Sequence, residues 1–140
     1  CRPPSAKSNE PPAMANEVQM SARLFAAKGG ATIDGTTYTV TANMTGTDMG
    51  QQTQDVSTSA EALDVAPDVA SPYRVMIRNI DTINSLSVGF YDAVIYPNVV
   101  YPIRIQPGEF CLLPRIDTGN TIMLKSTAGV VKAVVQFCEL

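Results

Sequence analysis

Three tyrosines, Tyr91, Tyr96 and Tyr101, sit close together beside Pro97 and Pro102 and are the residues best suited to binding. A tyrosine joins a large apolar ring to a polar tip, which fits a sugar-binding face or a protein interface as well as it fits a core. Reactive chemistry has little to draw on. The chain has no histidine, which removes His-based triads and the commonest metal ligand. Cys1, Cys111 and Cys138 show no C-x-x-C spacing, so neither zinc nor thioredoxin-type chemistry is indicated. Cys111 and Cys138 lie in strand-like runs, where a buried free thiol or a disulfide between neighbouring strands are the two readings. Asp48, Asp55 and Asp64 could offer loop oxygens to calcium, yet no D-x-D-x-D-G loop is present and solvated carboxylates are the simpler account. No carboxylate pair has a spacing that converges on a glycosidic bond, and no G-x-G-x-x-G loop cradles a phosphate. No catalytic residue, cofactor or metal is therefore expected.

The formal charge of −3, with ten Lys and Arg scattered along 140 residues, argues against nucleic acid, whose phosphates need a clustered basic surface. No apolar run reaches the ~18 residues of a membrane-spanning helix. Only 16% of residues are charged, and a surface of Thr, Ser and Asn with so few charges leans towards self-association.

The elements that would hold these residues read as strands. Tyr73-Arg74-Val75-Met76-Ile77-Arg78 and Ser85-Leu86-Ser87-Val88-Gly89-Phe90 flank the Asn- and Asp-rich Asn79 to Asn84, two strands and a polar turn. Earlier, Val18, Met20, Ala22 and Leu24 alternate with polar residues, as do Tyr38, Val40, Ala42 and Met44. Each run predicts a half-buried strand, with Lys28-Gly29-Gly30 ending the first and Asp34-Gly35 making a two-residue hairpin. Gln52 to Ser57 reads as a short polar edge strand, and Ser59 to Leu63 as one helical turn. Pro97-Asn98 marks a turn, Pro102 places its strand at an edge or a bulge, and Gln106-Pro107-Gly108-Glu109 has the residues of a type II turn. Strands at Phe110 to Ile116, Thr121 to Ser126 and Val130 to Cys138 follow. Turns at this spacing predict an all-β fold, a two-sheet antiparallel β-sandwich that is jelly-roll-like.

Residues 1–13, CRPPSAKSNEPPA, contain four prolines and almost nothing to bury, and predict an extended N-terminal arm, with the sandwich domain spanning residues 14–140. Met14-Ala15-Asn16 reads as a natural translation start, so the arm is either exposed by processing or reflects where the gene start is assigned. A processed Cys1 also suits a lipid-modified bacterial lipoprotein.

Taken in order, Ser59-Ala60-Glu61-Ala62-Leu63, Ile77-Arg78-Asn79-Ile80-Asp81, Ser87-Val88-Gly89, Ile105 to Phe110, Leu124-Lys125-Ser126-Thr127 and Val134 to Glu139 resemble a family of small structural proteins of tailed bacteriophages. Met14 to Val18 is similar to the segment near which its members begin, and the resemblance spans everything but the arm. It implies a non-enzymatic virion protein on the capsid exterior, decorating or cementing the head. Its partners would be the major capsid protein and copies of itself, a trimer being one closed form. In that setting Arg2, Pro3, Pro4, Pro11 and Pro12 would run along a neighbour, trading ordering entropy for a wide contact, and Tyr91, Tyr96 and Tyr101 would add to the interface. No membrane partner is expected unless Cys1 is lipidated. Three other classes stay open: a self-assembling surface filament or lipoprotein subunit on the bacterial cell surface, a carbohydrate-binding module using the tyrosines, and, with the least in the residues to support it, an enzyme, for which histidine, a nucleophile–base pair and a metal motif are all lacking.

Overall fold

A computed structural model describes residues 17–44, 48–65, 73–92, 96–117 and 120–140. The arm at residues 1–13 lies outside them, and with it Arg2, Pro3, Pro4, Pro11 and Pro12. The chain divides into two units, Cys1–Asn43 and Met44–Leu140, where the sequence drew its only boundary after residue 13.

The first unit holds β1 (Glu17–Ala22), β2 (Phe25–Lys28), β3 (Ala31–Asp34) and β4 (Tyr38–Asn43). β1 pairs antiparallel with β4, and β2 with β3, so the chain runs out and back as one two-stranded ribbon. Its tip is Gly29-Gly30, with φ of 59° and 84°. Two consecutive left-handed residues make the type I′ turn whose twist matches the strands, and glycine adopts that conformation without strain. Asp34-Gly35 is therefore not the hairpin turn that the sequence predicts. It lies at a β-bulge. Between the pairs Ala22↔Tyr38 and Phe25↔Asp34 the outgoing strand has two residues, Arg23 and Leu24, and the returning one has three, Gly35 to Thr37. Gly35 N donates to Leu24 O at 3.0 Å, and a Cβ on Gly35 would stand 2.6 Å from that oxygen, so a side chain there would push the strands apart. Arg23 pins the bulge, donating from Nε to Gly35 O at 3.0 Å and pairing with Asp34.

The second unit contains β5 (Met49–Val56), β6 (Glu61–Ala62), β7 (Tyr73–Asn79), β8 (Leu86–Asp92), β9 (Tyr96–Ile105), β10 (Phe110–Ile116), β11 (Thr121–Ser126) and β12 (Val131–Glu139). They form two antiparallel four-stranded sheets, β10-β7-β12-β5 and β6-β11-β8-β9. Counted within this unit, the orders are 6-3-8-1 and 2-7-4-5, the double Greek key of a jelly roll. Among the described strands of this unit, β8 and β9 are the one consecutive pair hydrogen-bonded to each other; the other connections cross from one sheet to the other. Alternation places Val75 and Ile77 of β7, Val131 and Val135 of β12, Leu86 and Val88 of β8, and Ile122 and Leu124 of β11 in one buried cluster. Each such side chain removed from water contributes about 2 kcal/mol.

The end of the sandwich where β7 leaves for β8 is closed by polar side chains. Asn79 is fully buried. Its Nδ2 donates to Asn84 O at 2.9 Å and Ile105 O at 3.2 Å, and its Oδ1 accepts from Asp81 N at 2.9 Å. Gly108, with φ of 80°, donates to Asn79 O at 3.0 Å, and Glu109 N donates to Gln106 O at 3.0 Å, which is the expected type II turn. Two other local readings change. Ser59 to Leu63 forms no helical turn: Glu61 and Ala62 pair with Leu124 and Met123, and Glu61 Oε1 accepts from Ser57 N at 2.6 Å with the chain extended. Pro97-Asn98 lies inside β9 rather than at a turn. Pro102 does fall on an edge strand with register shifts, as a residue without an N–H requires.

Candidate functional site

The ribbon carries the most unusual surface. In β1 and β4, Val18 faces Ala42, Met20 faces Val40 and Ala22 faces Tyr38, while Glu17, Gln19 and Ser21 face Asn43, Thr41 and Thr39. One face is apolar and the other polar. Beyond the bulge Ala26 faces Ile33. Apart from Phe25, which faces Asp34, even-numbered positions carry the apolar residues up to Ala26, Ile33 is odd, and Tyr38, Val40 and Ala42 are even again. The extra residue in the bulge absorbs that change of phase, since a one-residue shift moves side chains to the opposite face. By register, the bulge keeps Ile33 and Tyr38 on the same side, and the apolar face runs the length of the ribbon. It is not covered: Leu24, Ile33, Tyr38 and Val40 are 67%, 55%, 74% and 56% exposed. The half-burial expected of these strands is reached at Val18, Met20 and Ala42 and nowhere further out on that face. Two strands alone bury too little to be stable in water, so a ribbon patterned in this way calls for a covering surface.

The tyrosines are distributed differently from the expectation of one binding face. Tyr91 is 38% exposed on β8. Tyr101 on β9 packs its ring over Gly89, where a Cβ would come within 2.8 Å of Tyr101 Cδ1 and 2.5 Å of Val100 O. Its hydroxyl is buried without a hydrogen-bond partner among the described residues, and burial raises its pKa. Such a ring fills a gap between strands. The backbone of Tyr96 opens β9, and its side chain lies outside the described residues. Beside them, Phe90, Val100, Pro102 and Asn120 line an open cleft of about 380 Å³, in which Asn120 is the polar side chain among the described residues.

Cys111 and Cys138 are both free thiols. Cys111 pairs with buried Ile77 and packs towards the core, whereas Cys138 pairs with Arg74 on the outer side of the same sheet, so the two point to opposite faces. Burial pushes the Cys111 thiol up to about 11, opposed by a backbone hydrogen bond from Ile77. Burial raises Cys138 as well, offset in part by Arg74. Neither is an activated nucleophile. Among the described residues no three His, Cys, Asp or Glu side chains group as metal ligands.

A second group of apolar side chains lies on the outer face of the β10-β7-β12-β5 sheet, interspersed with Gln51, Thr53, Arg78 and Gln136. Met49 and Phe110 are 73% and 62% exposed, and Met76, Leu112 and Val134 are half-buried. Register places them on neighbouring strands of that face. Among them sits Arg74, whose Nε and Nη1 are buried with no partner among the described residues.

No family model, curated protein or solved structure matches this chain.

Neither apolar surface was singled out from the sequence. With the turn placed at Asp34-Gly35, the two halves of the ribbon fall out of phase and no single face emerges. Gly29-Gly30 was the signal available, because paired glycines supply both positive φ values of a type I′ turn. For the outer sheet face no such signal exists, since Met49, Met76, Phe110 and Val134 are gathered from four strands.

Proposed function

We propose that this chain is a non-enzymatic virion structural protein that decorates or cements the exterior of a phage capsid, with the major capsid protein and further copies of itself as partners. The observation that carries the reading is the ordered ribbon with an uncovered apolar face. An isolated apolar face of this length costs solubility unless a partner covers it, and a repeated shell offers such a partner at every joint between subunits. The jelly roll is compatible with the reading, being frequent in capsid proteins, but lectins and cupins share it, so the weight rests on the ribbon. The raised cysteine thiols, the mostly apolar described lining of the cleft and the gap-filling Tyr101 favour binding by surface over catalysis or sugar stacking.

The test is cryo-electron microscopy of native particles that contain the chain, at a resolution that traces side chains. Discrete knobs on an icosahedral exterior, with the ribbon against a neighbouring subunit, are expected. Chains stacked along a tube or filament would overturn the proposal.

A further inference from the structure

We infer that the apolar face of the ribbon docks on the outer face of the β10-β7-β12-β5 sheet of a second copy of this chain, the copies exchanging ribbons in a closed assembly. The inference deepens the proposed function and rests on it for the presence of repeated copies; the contact itself is made by the free protein without a shell.

Three observations select this occupant. The first is area. Over Glu17 to Lys28 and back, at ~3.3 Å per residue and ~4.8 Å between strands, one face of the ribbon covers about 400 Å². Ribbons that met face to face would each bury only that, half of the ~800 Å² per partner typical of a stable interface. In an exchange each chain gives a ribbon face and receives one, so about 800 Å² per chain leaves water. The second is chemistry. Met49, Met76, Phe110, Leu112 and Val134 bring two adaptable thioethers, an aromatic ring and two aliphatic chains to a face that also carries Gln51, Thr53, Arg78 and Gln136, apolar anchors among polar groups as interfaces have them. It faces away from the sandwich core, and its most protruding members, Met49 and Phe110, keep 73% and 62% of their area exposed. The third is Arg74. Buried polar groups find partners in finished structures, yet Nε and Nη1 of this side chain, on the same face, are buried with none among the described residues. Both atoms are closed to solvent, so an arriving ribbon supplies the missing acceptor as the guanidinium turns outward to meet it.

The pattern of the ribbon agrees. The bulge at Gly35 keeps one face apolar along its whole length, and the opposite face carries Gln19, Ser21, Thr39 and Thr41, with Phe25, 63% exposed, as its large apolar member near the tip. Only a partner that lies along the entire apolar face makes use of that phase correction.

The experiment is sedimentation velocity on the purified full-length chain and three variants, Val40→Asp, Phe110→Asp and Thr41→Asp. All three positions are exposed, so the variants retain the fold, and Thr41→Asp tests whether the ribbon tolerates a charge on its polar face. The unaltered chain is expected to be oligomeric at micromolar concentration. Val40→Asp and Phe110→Asp should each raise the dissociation constant about 100-fold, because each strands a carboxylate in a dry contact, while Thr41→Asp should change it less than about threefold. A monomeric parent chain would overturn the inference. So would dissociation by Val40→Asp with Phe110→Asp unchanged, which would mean that ribbons meet each other, and so would equal effects of Val40→Asp and Thr41→Asp. Self-association without shell binding, or the reverse, separates failure of the proposed function from failure of this contact.

Discussion

Replacing Asn79 by alanine should cost the β-sandwich about 3 kcal/mol, a magnitude that follows from what its amide holds. The side chain makes three bonds, to Ile105 O, Asn84 O and Asp81 N, and is itself fully buried. The bond to Ile105 O is buried, so its loss leaves an acceptor unsatisfied at about 1–2 kcal/mol. The other two are partly accessible, and water entering the site limits each to about 0.5–1 kcal/mol. A single-domain stability of about 5–15 kcal/mol makes this a large fraction. In urea, with a slope of about 1.5 kcal/mol per M, the midpoint should fall by about 2 M at constant slope. Tyrosine fluorescence, sensitive to buried Tyr73, follows the transition. Thr82→Ala, an exposed change in the same loop, should move the midpoint by less than about 0.3 M. A shift below about 0.5 M for Asn79→Ala would refute the argument, because water would then replace the amide almost without cost.

Alanine at both Gly29 and Gly30 should loosen the ribbon by about 1–2 kcal/mol per residue, since both positions have positive φ that a Cβ disfavours. Hydrogen exchange should speed up over residues 17–43 and stay unchanged in β7 and β12; uniform exchange across both units would contradict the turn assignment. Gly89→Ala should destabilise the sandwich by about 1–3 kcal/mol, because its Cβ would meet Val100 O at 2.5 Å, a backbone atom that cannot rotate away. A melting temperature equal to that of the parent would show that β8 and β9 separate freely. Asp81 should confer pH dependence. Its Oδ1 accepts from Asn84 N and Ile83 N, both at 2.7 Å, and these bonds hold its pKa below the ordinary 3.8. The folded value lies below the unfolded one, so ionised Asp81 stabilises the folded state above pH 3.8, and the contribution disappears as pH falls through the folded value. Asp81→Asn should remove that part of the acid-side slope in urea midpoint against pH, and parallel curves for the two proteins would refute it.

Strand positions were legible because they depend on neighbours in sequence. Period-two alternation located β1 and β4, β-branched and aromatic runs located β7 and β8, and Pro107-Gly108 carried its turn in two residues. Errors arose where a local signal had two uses. Asp34-Gly35 has the composition of a hairpin turn, but Gly29-Gly30 gives both left-handed residues and takes the tip, leaving Gly35 to a bulge that needs a missing side chain for another reason, the approach of Leu24 O. Ser59 and Glu61 resemble a helix cap, yet Leu63 N bonds to Ile122 O at 2.8 Å, and that ladder draws the segment out as strand. The tyrosines were visible as types. Whether a ring is free or packed depends on the strand opposite, and for Tyr101 that strand brings Gly89 beneath it.

By itself the sequence determined the secondary-structure class, most strand limits, the lack of histidine chemistry and the low surface charge, all of which follow from residue types and spacing. Tertiary structure decided the pairing. Nearly every turn in the second unit carries the chain to the other sheet, so adjacency in sequence does not translate into adjacency in a ladder; what selects the partner strand is burial of both inner faces at once, a condition on the whole core that no short window contains. The same holds for the outer apolar face, whose members share a surface only after four strands are laid side by side, and for the ribbon, whose single apolar face exists only once the bulge has set its register.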